Sequence, residues 1–185
     1  ADEDNDPSDF AGHGTEAAGY VAAITDNAEG IAGAAPGAKL MCLRAGWLTG
    51  QNLGYLPVVY MSYCAQAIEY AMRNGAKVIN CSWDSTGDPG ISPLAAVTDE
   101  AIDTYDAVIV ASAGNSGSSI GADQYLGLRD DVLGVGGILF TGRKAGLSNY
   151  GDWVEIAAFY SGCSTTWFNR ATGVPGYATP SGTSF

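Results

Sequence analysis

Val108-Ile109-Val110-Ala111-Ser112-Ala113-Gly114-Asn115-Ser116-Gly117 is a β-branched apolar run that stops at a Gly-Asn turn. A half-solvated strand alternates apolar and polar residues, whereas a strand inside a helix-covered parallel sheet reads as continuous apolar sequence. This run is of the second kind, with Ala107 to Ala111 as its strand. Working outward, Val78-Ile79-Asn80-Cys81-Ser82-Trp83 has the same character and predicts a strand over Lys77 to Cys81 that ends at Ser82-Trp83. Leu94 to Thr104, between the two, reads as a helix, and Val58 to Met72 as another. Thr15 to Ile24 predicts a short Ala-rich helix, Lys39 to Leu43 a strand, and Val132 to Ile138 a further strand weakened by its glycines. Such alternation predicts an α/β fold: a three-layer sandwich with a mostly parallel central sheet and helices on both faces. Functional groups in these sheets collect at the carboxyl ends of strands, where Ser82-Trp83 and Gly114-Asn115 both fall.

The chain has 185 residues, enough for roughly one domain with a real core. Eight basic against 20 acidic residues leave a net charge of -12, so no basic surface exists to neutralise phosphates and nucleic acid is excluded as a partner. Solubility is the plain reading of that charge. No run of about 18 or more apolar residues marks a membrane span. The opening Ala1-Asp2-Glu3-Asp4 is neither an initiator Met nor a basic-then-apolar leader, and reads as a processed or partial product. Four cysteines, Cys42, Cys64, Cys81 and Cys163, admit three connectivities if fully paired. Cys42 and Cys81 lie within apolar strand-like runs, which favours buried free thiols at those two positions. With one histidine and no C-x-x-C spacing, a zinc site is not expected.

That one histidine lies in Gly12-His13-Gly14-Thr15, ahead of the Ala-rich helix, and the chain closes on Ser181-Gly182-Thr183-Ser184-Phe185. Together with Ala113-Gly114-Asn115 after a strand, these segments resemble, in order, the motifs of the subtilisin-like serine proteases, or subtilases. Gly30-Ile31-Ala32-Gly33-Ala34-Ala35-Pro36-Gly37-Ala38-Lys39-Leu40 and Ser148-Asn149-Tyr150-Gly151-Asp152-Trp153-Val154 resemble the family's G-V-A-P-G-A-K-L and S-N-Y-G segments, so the similarity covers nearly the whole chain. It implies a serine endopeptidase acting through an acyl-enzyme. A serine hydroxyl is a weak nucleophile that needs a base and oxyanion donors. Ser184 would be the nucleophile, His13 the general base and then acid, and Asn115 the side-chain oxyanion donor beside the Ser184 backbone N–H. Ser82, Trp83 and Asp84 would pair with substrate backbone, while Ser112, Ala113 and Gly114 would wall the primary side-chain pocket. Each has a plainer reading: a satisfied core histidine, an Asn tolerating a turn, a serine capping a helix, a tryptophan that only packs.

The resemblance further implies protein or peptide substrates, no cofactor for the chemistry, secretion, a propeptide and a monomeric enzyme. Asp2, Asp4, Asp6 and Asp9 have the oxygen-rich character that calcium favours, with Asp9 the best single ligand candidate for a structural ion, although acidic surface is usually only solvated. The family's triad aspartate lies well upstream of the histidine, and only twelve residues precede His13. The chain is therefore expected to be part of a subtilase catalytic domain, lacking the Asp-bearing strand and the helix after the nucleophile. Glu16 replaces the family's second histidine, Phe159 stands where proline is commoner, and the stretch from Trp47 to Pro57 is longer than usual, with an expected effect on remote substrate pockets. Asp84 replaces a glycine and would favour Lys or Arg in the substrate. The alternative function is a catalytically inactive peptide-binding pseudoprotease with a substituted upstream carboxylate. A hydrolase with a G-x-S-x-G elbow would need a histidine after Ser184; none follows within this chain, and the other segments favour the subtilase reading.

Overall fold

The computed structural model of the chain describes residues 6–49, 56–84, 91–119 and 124–185. In chain order the elements are α1 (His13–Ala22), β1 (Gly46–Thr49), β2 (Leu56–Val59), α2 (Met61–Arg73), β3 (Val78–Cys81), α3 (Ile91–Asp103), β4 (Val108–Ser112), β5 (Leu133–Ile138), β6 (Ile156–Phe159), β7 (Thr165–Phe168) and β8 (Pro175–Ala178). They fall into two compact units, one made of Ala1–Val59 with Gly162–Pro180 and the other of Tyr60–Ser161 with Ser181–Phe185.

The second unit is built on a parallel sheet of order β3-β4-β5-β6, the α/β architecture expected from the alternating signals. Val78 pairs with Val108 and Cys81 with Ala111; Ser112 pairs with Val135, and Ile138 with Phe159. Helix α2 buries Met61, Cys64, Ala65, Ile68, Ala71 and Met72, which recur at helical spacing on one side. Helix α3 buries Leu94, Val97, Thr98 and Ala101, and the buried Thr98 hydroxyl is satisfied by donating to the Leu94 carbonyl at 2.7 Å. The sheet presents Ile79, Cys81, Ile109 and Ala111 on its covered face. Cys64 of α2 and Cys81 of β3 are both buried. On the other face Val78 and Val108 are 63% and 51% exposed. The strands thus alternate in burial even though their sequences do not alternate in polarity.

The glycines of β5 belong to close packing. A Cβ at Gly137 would lie 2.5 Å from the Tyr160 ring, and one at Gly134 only 2.9 Å from the Trp153 carbonyl. Side chains there would push β6 and its approach away from the sheet, so this strand is weak by composition and fixed by fit.

In the first unit, α1 lies against the antiparallel hairpin of β7 and β8. The Thr165 hydroxyl donates to the Glu16 carbonyl at 2.6 Å and the Thr166 hydroxyl to the Thr15 carbonyl at 2.8 Å. A Cβ at Gly19 would stand 2.2 Å from the Thr166 hydroxyl, so only glycine lets the helix come this near. Two sequence expectations fail here. Lys39 to Leu43 is not a strand: it has no ladder partner among the described residues, and Leu40, Met41, Cys42 and Leu43 are exposed. Cys42 is consequently a surface thiol, whereas Cys81 is buried as expected; all four cysteines are free. The helix expected from Val58 instead begins at Met61, because Val58 and Val59 pair antiparallel with Trp47 and Gly46 in the β1–β2 hairpin. Residues 50–55 of the long Trp47 to Pro57 stretch, like Asp2 and Asp4, lie outside the described residues.

Candidate active site

From Ser112, the last residue of β4, the chain runs on through Ala113 and Gly114, all three buried, and then turns at the exposed Asn115. Ala113 still belongs to the sheet, its N–H donating to the Val135 carbonyl at 2.9 Å. At Gly114 φ is +92°, and a Cβ would fall 2.5 Å from Asn149 Nδ2 and 2.9 Å from Gln124 Cγ. Both the backbone conformation and the crowding require glycine. The Gly114 N–H donates to the Thr183 hydroxyl at 2.9 Å, which draws the Gly-Thr-Ser segment onto the turn.

Thr183 also fixes the Asn115 amide. Asn115 Oδ1 accepts from the Thr183 N–H at 2.9 Å and from its hydroxyl at 3.3 Å. With the oxygen occupied by two donors, the Asn115 NH₂ is the end of the amide left to donate to a ligand. Ser184, the next residue, is half-buried, and its carbonyl accepts from the Ser82 hydroxyl at 2.8 Å. Asn80 Nδ2 in turn donates to the Ser82 hydroxyl at 2.9 Å. Asn80, Ser82, Ser112, Thr183, Ser184 and Phe185 line a cavity of about 140 Å³.

Of the residues expected in the site, Ser82, Ser112, Ala113, Gly114, Asn115 and Ser184 thus gather at the carboxyl edge of the β3–β4 pair. Trp83 is half-buried beyond β3, and the neighbouring Asp84 accepts a hydrogen bond from the Gln124 amide. Gln124 is only 2% exposed and fills the space over Gly114. Thr183, Gln124 and Asn149 are participants that sequence reasoning did not single out. Thr183 and Asn149 lay inside quoted motifs without a role, and Gln124 had no signal.

His13 belongs to the first unit, where it is the first residue of α1, directly after Gly12 with φ +92°. The loop before it is held by Asp9. Asp9 Oδ1 accepts from the N–H groups of Ala11 and Gly12, each at 2.8 Å, and Oδ2 from the Thr15 N–H and hydroxyl, also at 2.8 Å. Burial pushes the Asp9 carboxyl up, but the donors of Gly12, Thr15 and Ala11 together outweigh it and hold the group below its ordinary value. Burial, and then the Asp9 charge, push the Glu16 carboxyl up, against the pull of Arg170.

These bonds bear on calcium. A carboxylate offers about four lone-pair positions, and all four at Asp9 are spent on the loop. Among the described residues no group of three or more His, Cys, Asp or Glu side chains is placed to hold a metal ion. The geometry makes Asp9 a loop anchor, and its oxygens do not fit an ion ligand.

The sequence profile of the subtilase family matches residues 1–185. The chain belongs to the subtilase family. It is 38% identical over 160 residues to a thermophilic serine proteinase of Bacillus sp. (strain AK1), covering 85% of this chain and 36% of that protein. It is 34% identical over 187 residues to thermitase of Thermoactinomyces vulgaris, covering 99% of this chain and 60% of thermitase. Among solved structures, a psychrophilic protease superposes with a TM-score of 0.77 at 31% identity, over 98% of this chain and 61% of that one. A protease from Pseudoalteromonas arctica superposes with a TM-score of 0.76 at 30% identity, over 93% and 54%. This subtilase chain therefore has the subtilisin-like α/β fold and spans between 36% and 61% of the length of these four relatives.

Proposed function

We propose that the protein, at its full natural length, is a secreted serine endopeptidase. Ser184 Oγ attacks the peptide carbonyl while His13 takes its proton. The tetrahedral oxyanion receives hydrogen bonds from the Asn115 NH₂ and the Ser184 backbone N–H. His13 then returns the proton to the departing amine, leaving an acyl-enzyme that water resolves by the same steps reversed. The carboxylate that would orient His13 is left unassigned. The observation that carries this reading is the pair of hydrogen bonds from Thr183, the residue before Ser184, to Asn115 Oδ1, which occupy the acceptor end of that amide and leave its NH₂ to donate.

Substrate would lie extended between Ser82-Trp83-Asp84 and Ser112-Ala113-Gly114, held by main-chain hydrogen bonds. The Gln124 bond to Asp84 weakens the case for selecting Lys or Arg, because part of that carboxylate is already engaged. Secretion is supported by relatives such as an extracellular protease of Xanthomonas campestris pv. campestris, 33% identical over 177 residues. A propeptide, a monomeric state and a structural calcium elsewhere in the protein complete the proposal.

A fluorophosphonate probe tests it. Ser184 Oγ should displace fluoride and form an O–P bond in the full-length protein, and His13→Ala should abolish that labelling. Asn115→Ala should lower turnover about 100- to 1000-fold, a magnitude known from loss of an oxyanion asparagine in a subtilisin and not obtained from this geometry. A folded protein whose Ser184 stays unlabelled would instead be a peptide-binding pseudoprotease.

A further inference from the structure

Ser148-Asn149-Tyr150-Gly151 lies far from Asn115 in sequence, yet it is stitched to the turn that carries it. Asn149 is 1% exposed. Its Oδ1 accepts from the Ser116 N–H at 3.1 Å, the Ser116 hydroxyl at 2.8 Å and the Ser118 N–H at 2.9 Å. Its own N–H donates to the Gly114 carbonyl at 3.0 Å. Flanking bonds continue the seam, from Gly117 N–H to the Leu147 carbonyl at 2.8 Å and from Tyr150 N–H to the Ser118 carbonyl at 3.1 Å. Behind it the buried Ser148 hydroxyl accepts from the Gly137 N–H of β5 at 2.8 Å and donates to the Asn149 carbonyl at 2.9 Å, which anchors Asn149 to the central sheet.

Both neighbours of Asn115 are therefore held by one residue: the Gly114 carbonyl by the Asn149 backbone, and the Ser116 amide by the Asn149 side chain. An oxyanion donor contributes only if it already stands where charge will develop, and an error of a few tenths of an ångström weakens that contribution. We propose that Asn149 is a positioning residue for the oxyanion hole, clamping the 114–118 turn so that the Asn115 amide is fixed before substrate arrives. This rests on the assignment of Asn115 as the oxyanion donor. Asn149 would touch neither substrate nor the reacting atoms.

A double-mutant cycle in the full-length protein, read on a peptide p-nitroanilide, tests the clamp. Asn149→Ala should lower kcat roughly 10- to 100-fold with KM within about twofold, since the loss falls on the transition state. In an Asn115→Ala background the same substitution should lower kcat less than about threefold, because the donor it positions is already gone. Asn149→Asp, which keeps an acceptor oxygen toward Ser116 and Ser118, should restore kcat to within a few-fold of the native value. If Asn149→Ala does not fold, Asn149→Gln takes its place in the cycle, keeping the amide but setting it one methylene away. Losses that add fully in the double variant, or an Asp variant as impaired as the Ala variant, would overturn the clamp while leaving the protease reading intact. Absence of hydrolysis in the native protein would overturn that reading and the clamp with it.

Discussion

Asp9 shows how one side chain can fix the loop that leads into His13, the base of the proposed mechanism. A helix start leaves first-turn N–H groups without helical partners, and the Asp9 carboxylate collects that of Thr15 in α1 together with those of Ala11 and Gly12 in the loop before it. Its ionised form is the better acceptor, so its folded pKa lies below the ordinary 3.8. A depressed carboxylate contributes stability that is present above the ordinary value and is lost as pH falls through the folded one. Asp9→Ala should accordingly cost about 1–2 kcal/mol at pH 7, and the difference from the native protein should narrow as the pH drops below 3.8. Urea midpoints at neutral and acid pH give the comparison; an equal cost at both would mean that the charge is irrelevant and the side chain merely fills space. At this scale the sequence singled out the residues that stand out within their own motifs, His13, Asn115 and Ser184, to which the proposal assigns the chemistry. It said nothing of what Asn149, Thr183 and Gln124 do, because their work is hydrogen bonding to partners distant in the chain, and only folding supplies those partners.

Elements were legible wherever an apolar period matched burial. Helices α2 and α3 and strands β3 and β4 appear within a few residues of their expected positions because their buried residues repeat at helical spacing or form β-branched runs. Lys39 to Leu43 misled for the same reason: an apolar run predicts a strand only when a neighbouring strand completes its ladder. The edge strand β6, exposed at every position, and the β7–β8 hairpin carry no such period. The burial of α2 and β3 can be checked through their thiols, Cys64 and Cys81. Cys64 and Cys81 are both buried, which shields them from reagent, and burial also pushes the Cys81 thiol far up, so Cys81 should present no thiolate. Cys42 is exposed. In brief iodoacetamide treatment at pH 8, peptide mass spectrometry should find Cys42 modified and Cys64 and Cys81 protected by about 100-fold or more until the protein unfolds. Cys81 reacting as fast as Cys42 would mean that the covered face of the sheet is open to reagent.

Across the whole molecule the controlling quantity is charge. Eight cations among 20 acids leave a net -12, and the described ion pairs concentrate on few cations. Arg129 meets Asp99 at 2.6 Å and Asp131 at 2.5 Å, and Arg73 meets Glu69 at 3.0 Å and Glu100 at 3.4 Å. Exposed pairs of this kind contribute about 0–1 kcal/mol each, and salt weakens them. The general repulsion among the excess carboxylates is screened as well, and it opposes the compact state. With twelve uncompensated charges the repulsion should dominate, so raising NaCl from about 10 mM to 150 mM, which shortens the Debye length from about 30 Å to 8 Å, should stabilise the fold. For a chain of this size a gain of about 1 kcal/mol corresponds to a rise in Tm of roughly 2–4 °C. Calorimetry at the two salt concentrations decides the matter: a flat or falling Tm would mean that the shared pairs at Arg129 and Arg73 outweigh the surface field.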